Sequence, residues 1–113
     1  MKSPHITKLL ARHGTNVTVY RSDETQKLTE QCTAQALIQP VESRRSAVTE
    51  RVGRPESALF TYIGQPDVKL PGRYSGVISA GGEMFRVLCR ETHYFGKEAV
   101  YEFAALERWS KDE

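Results

Sequence analysis

The run "RYSGVISAGGEMFRVLCRE", Arg73–Glu91, decides how this chain is read. Two strand-like arms flank Gly81-Gly82, and adjacent glycines after Ala80 supply the positive φ angles that a tight hairpin turn demands. In the second arm Phe85, Val87 and Cys89 fall at alternate positions, so they are expected on one inner face. Arg86 and Arg90 are expected together on the other face. A period of two on both sides of a glycine turn is the signature of antiparallel sheet, and the rest of the chain repeats it.

Working outward, "THYFGKEAV" offers a second turn around Gly96, and "VYEFAALERW" is a final strand ending at Trp109. Upstream, "QPDVKLPG" is punctuated by proline and glycine and predicts loop with at most a short edge strand. "SALFTYIG" is rich in aromatic and β-branched residues and predicts a strand. "QCTAQALIQP" alternates cleanly: Cys32, Ala34, Ala36 and Ile38 face one way, and Gln31, Thr33, Gln35, Leu37 and Gln39 the other. "NVTVYR" sets Val17 and Val19 against Thr18 and Tyr20, with the polar "SDETQKLT" as the connection. Glu83, Glu91, Glu98, Glu102 and Glu107 are expected at solvent-facing strand positions.

Before the strands, "SPHITKLLARHG" predicts a short helix. Ser3 caps it, Pro4 takes the first helical position, where a missing N–H costs nothing, and Gly14 stops it. Ile6, Leu9 and Leu10 form one apolar stripe. Lys8, Arg12 and His13 sit toward the C-terminal end, where positive charge suits the dipole. The expected fold is therefore mainly β: about six antiparallel strands in a small β-barrel or two-layer sandwich, with a short N-terminal helix and one long loop.

The 113 residues fit one domain, 1–113, with a single core. Hydrophobic residues make up 39% and charged residues 27%, an ordinary globular balance, and the net charge of +2 is too mild for a dedicated duplex-DNA binder. The two cysteines, Cys32 and Cys89, match no metal-ligand spacing and are expected as free core thiols, which implies a reducing compartment. No apolar run approaches the roughly 20 residues that span a bilayer, and the N-terminus lacks the apolar core of a signal peptide. The expectation is a soluble intracellular protein.

Catalytic patterns are not found. His5 and His13 lie two helical turns apart, whereas a paired ligand site uses one, and His93 falls at a turn beside Tyr94. Neither thiol has a positioned base. "AGGE" leads into a strand, so it lacks the helix N-terminus that a phosphate cradle requires. No cofactor, metal or enzymatic activity is expected. The five tyrosines, four phenylalanines and one tryptophan keep open a nucleic-acid reading, in which aromatics stack bases while Arg86 and Arg90 track phosphates. The competing reading is a solvated strand face holding Glu102 across the sheet.

The longest interruption is "SRRSAVTERVGRPES", Ser43–Ser57. Connections beyond about 12–15 residues in a small domain are commonly functional or disordered. This one cannot bury enough apolar surface to offset its own ordering. Its four arginines, Arg44, Arg45, Arg51 and Arg54, are partly balanced by Glu50 and Glu56, too mixed for a DNA clamp and too polar for a core. It reads as an assembly loop that gains order against neighbours.

Taken in order, a short helix, a strand of the "VTVYR" type, a second strand, a long polar loop, a third strand, a Gly-turn hairpin containing "GEMFRVL" and a closing "VYEFAALER" strand resemble a known family. These are the head-closure, or stopper, proteins at the neck of tailed bacteriophages, including their counterparts in defective prophages of the PBSX type. The resemblance spans most of the chain and rests on pattern rather than invariant motif. It implies a small β-barrel, monomeric alone, that forms a ring beneath the portal and adaptor, closes the DNA channel after packaging and presents a surface to the tail. It further implies a life in the host cytoplasm during assembly and then in the virion neck. The loop 43–57 would lie toward the channel, with packaged DNA as a further contact of its arginines. Family members often carry Gly-Asp before the hairpin where this chain has Gly72-Arg73, so Arg73 is a candidate ring contact of reversed charge.

Overall fold

The computed structural model describes residues 4–25, 27–41, 59–72 and 74–109. The helix α1, Pro4–His13, opens the chain, with Arg12 and His13 in its last turn. It stops where expected: the Gly14 N–H closes the final turn on the Leu10 carbonyl at 2.8 Å. Ser3, its expected cap, lies outside the described residues. Six strands follow: β1 Thr15–Ser22, β2 Leu28–Pro40, β3 Leu59–Gly64, β4 Gly76–Ala80, β5 Glu83–Phe95 and β6 Glu98–Arg108.

Every neighbouring pair is antiparallel, and the order β1-β2-β3-β6-β5-β4 returns to β1, so the sheet closes into a barrel rather than splitting into two layers. Closure removes the unpaired edges that a small open sheet would expose. Alternation fills the interior: Val17, Val19, Ala36, Tyr62, Ile78, Phe85, Val87, Ala104 and Leu106 are all buried in one cluster. Cys32, Ala34 and Ile38 pack against it from β2, as the sequence pattern predicts. Phe60 meets Phe85 edge to face, 5.0 Å between centroids. Ile6 and Leu10 bury the apolar stripe of α1, which packs on β2 and β6.

The β4–β5 hairpin turns through Gly81 and Gly82, at φ 58° and 84°, a conformation that a side chain would strain. Gly64 matters for space: a Cβ there would stand 2.8 Å from the Tyr62 hydroxyl inside the barrel.

Register shifts interrupt the β1–β2 pair at Val19/Tyr20 and the β5–β6 pair at Val87/Cys89 and His93/Tyr94, and the one at Val87/Cys89 matters most here. Val87 pairs with Leu106 and Cys89 with Ala105, leaving Leu88 as an extra residue in a β-bulge. A bulge of one residue exchanges the two faces of everything beyond it. Cys89 is therefore turned away from the barrel interior, against the expectation that it shares a face with Phe85 and Val87. It packs instead beside a second cluster, Leu88, Leu59 and Ala105, on the outside of the wall. Both cysteines are free and half-buried.

Candidate functional site

Strand direction sorts the connections into two ends. β2 finishes, β3 begins, the β4–β5 turn lies and β6 finishes at one end; the β1–β2 turn, the segment from β3 to β4 and the β5–β6 turn share the other. The described residues that flank the expected assembly loop, Val41 and Leu59, lie at the first end. Arg44, Arg45, Glu50, Arg51, Arg54 and Glu56 lie outside the described residues, but the roots of their segment do not. Pro40 pairs with Phe60, and the Val41 N–H donates to the Leu59 carbonyl at 3.0 Å, so the segment leaves and returns at one point on the rim. Arg73 is also outside the described residues.

The second end is built around one carboxylate. Glu102 on β6 is 0% exposed, which corrects the expectation that it faces solvent. Counting along β6 puts Glu102 in phase with the inner Ala104 and Leu106, and the Leu88 bulge turns Arg90 and Thr92 inward, opposite Ala104 and Glu102. Arg90 donates through Nε to Glu102 Oε2 at 2.7 Å and through Nη2 to Oε1 at 3.0 Å. Thr92 Oγ1 donates to Oε1 at 2.7 Å, and the Leu70 backbone N–H donates to Oε2 at 3.1 Å. Four donors, two of them from one bidentate guanidinium, offset the cost of removing this charge from water. The same bonds hold the Arg90 guanidinium above its ordinary pKa.

The Leu70 bond ties down the strap, described over 65–72 and 74–75, that carries the chain from β3 past β6 and β5 to β4. Leu70 drops into the inner cluster, Lys69 Nζ reaches Thr92 Oγ1 at 2.8 Å, and the Tyr74 N–H donates to the Val87 carbonyl at 2.8 Å. Tyr74 takes φ 64°, a left-handed conformation uncommon for a bulky residue. Beneath the strap, the Tyr62 hydroxyl is buried with no hydrogen-bond partner. Burial, reinforced by the charge of Glu102 and then by Cys32, pushes the Tyr62 phenol above its ordinary range.

Arg86 and Arg90, expected as a shared phosphate-tracking face, are separated by the bulge. Arg86 stays on the outer face opposite Glu107, its guanidinium 5.2 Å from the Trp109 ring centroid. Arg90 is committed to Glu102.

Beyond Arg86, β5 leaves its pairing with β4, and before Glu102, β6 has no pairing with β3. The β5–β6 hairpin therefore continues as a two-stranded arm at the second end. His93 stacks on Tyr101 with centroids 4.5 Å apart, Phe103 meets it edge to face at 5.8 Å, and Glu91 Oε1 lies 3.0 Å from His93 Nε2. At the tip Tyr94 is 62% exposed and Phe95 82%, beside the Gly96 turn. Exposed aromatic tips of this kind are not legible from alternation, because Phe95 occupies the same phase as His93.

Among the described residues no group of three histidine, cysteine or acidic side chains is placed to hold a metal ion, and no helix is long and apolar enough to cross a membrane. No family model, curated protein or solved structure matches the chain.

Proposed function

We propose that this protein is a structural head–tail connector of a tailed bacteriophage or prophage, assembling as a ring that joins head to tail and closes the DNA channel. The observation that carries the reading is the contrast between the two ends of a closed barrel. One end roots a basic connection at Val41 and Leu59; the other projects an aromatic arm tipped by Tyr94 and Phe95. A protein with a charged contact at one end and an apolar contact at the other suits a place between two different neighbours. Its partners on this reading are further copies of itself, the portal and adaptor ring, tail proteins and packaged DNA.

The test is assembly. The purified chain, mixed with a portal–adaptor complex of its parent phage or prophage, is expected to add a ring visible by electron microscopy. Particles lacking the chain are expected to lose packaged DNA and to remain without tails. Filled, tailed particles formed in its absence would remove the proposal. The alternative, a small single-stranded nucleic-acid-binding barrel, predicts salt-dependent binding of short oligonucleotides by the isolated protein. It would have to be carried without Arg90, which is held by Glu102.

A further inference from the structure

The molecule carries both a projecting apolar knob and an open groove, at different places on its surface. The groove, about 700 Å³, runs between α1, the neighbouring parts of β1 and β2, and the turn at Asp67-Val68. Leu10, Val17, Ala34 and Val68 contribute its apolar lining, and Asp67 is the charged residue among those that line it. The knob is the arm tip, where the rings of Tyr94 and Phe95 stand in water beside Lys97.

We infer that the Tyr94–Phe95 tip of one copy seats in this groove of a second copy, with Lys97 facing Asp67. Three features favour a second copy over another occupant. The knob is aromatic, and the groove, of mixed polarity, offers it the apolar side chains of Ala11, Ala34 and Val68. The tip brings Lys97, beside the exposed Glu98, to a groove whose lining charge is Asp67, so one ion pair can form across the contact. Finally, the two halves of the contact are on one chain, so each copy offers one of each. Such a contact is heterologous: residue sets differ on the two sides, and repetition leads to a closed ring or an open filament according to the rotation between copies. The contact supplies a subunit interface for the ring proposed above and rests on that reading for its biological setting.

Zero-length carbodiimide coupling tests the contact directly, because it joins a lysine amine only to a carboxylate in contact with it. In a concentrated mixture of isotopically heavy and light protein, Lys97 and Asp67 peptides are expected to couple between heavy and light chains. Phe95→Ser, at an exposed site, leaves the fold intact and is expected to cut that yield about tenfold or more, the loss expected from one buried aromatic side chain. Ala11→Arg, which crowds the groove from α1, has the same expected effect. Mixing heavy Ala11→Arg with light Phe95→Ser restores coupling in one direction only, from heavy Lys97 to light Asp67. Coupling confined to single chains, or a yield unchanged by Phe95→Ser, would overturn the inference. Rings formed on the portal–adaptor complex by Phe95→Ser protein would also overturn this contact while sparing the connector reading. Heavy-to-light coupling without any such ring would support the contact and remove the connector.

Discussion

Phe85 and Phe95 belong to one strand and one phase of its sequence, yet they are 3% and 82% exposed. Between them lies the Leu88 bulge, and on either side of it β5 has different neighbours. The lower part, up to Arg86, is walled by β4 and packs its inner side chains into the closed barrel. The upper part has the strap and then water. The same side-chain chemistry thus stabilises the fold in one place and is left available for contact in the other. Exposure of this size on a large ring is tolerated when the surrounding arm is held by something else, and here that is the Glu102 network at its base.

The sharpest way to break this comparison is to truncate both rings. Phe85→Ala is expected to cost about 3–5 kcal/mol in denaturant unfolding, through lost burial and the cavity left against Phe60. Phe95→Ala is expected to change stability by less than about 0.5 kcal/mol. Equal losses would mean that the arm tip is part of the core.

Next in size is the anchor of the arm. Glu102→Gln removes the charge that Arg90 answers, at an expected cost of about 3 kcal/mol. That is the low end for a broken buried pair, because the Arg90 side chain keeps 30% exposure. Faster amide exchange at Leu70 and along the strap should accompany it. Unchanged exchange there would show that the strap does not depend on Glu102.

The smallest effect sits directly beneath. Tyr62→Phe deletes a buried hydroxyl with no partner and is expected to be neutral or to stabilise by up to about 1 kcal/mol. The raised phenol also sets a pH dependence. A group whose folded pKa lies above its unfolded value contributes fully below the unfolded value, about 10 for tyrosine, and its contribution is lost as pH rises through the folded one. Alkaline melting of the parent protein should therefore decline above about pH 10 more steeply than that of Tyr62→Phe; coincident profiles would contradict the burial of this hydroxyl.

Much of the fold is legible in particular residues. Ala80-Gly81-Gly82 and Gly96 announce their turns, the alternation from Cys32 to Ile38 announces an inner face, and Pro4 and Gly14 bracket the helix. The candidate site is less legible. Glu102 reads as a solvent-facing carboxylate because a charge is expected in water, although it shares the phase of the inner Ala104 and Leu106. Arg86 and Arg90 read as partners because strand periodicity assigns faces by counting, and counting fails across the Leu88 bulge. The residues expected to act in assembly, Arg44 through Glu56 and Arg73, lie outside the described residues, so the arm tip and its groove are the contacts that the structure adds.

What the sequence determined by itself is local: where the chain turns, which period each segment follows, and that no cluster of histidine, cysteine or carboxylate spacing announces catalysis. These follow from steric limits on single residues and from the cost of exposing apolar side chains at every second position. Only the tertiary structure decided that β1 meets β4 to close the sheet, that Leu88 exchanges the faces of β5, and that Glu102 is buried. Each of these depends on register between strands distant in the chain, and register is set by the packing of all six at once rather than by any one of them.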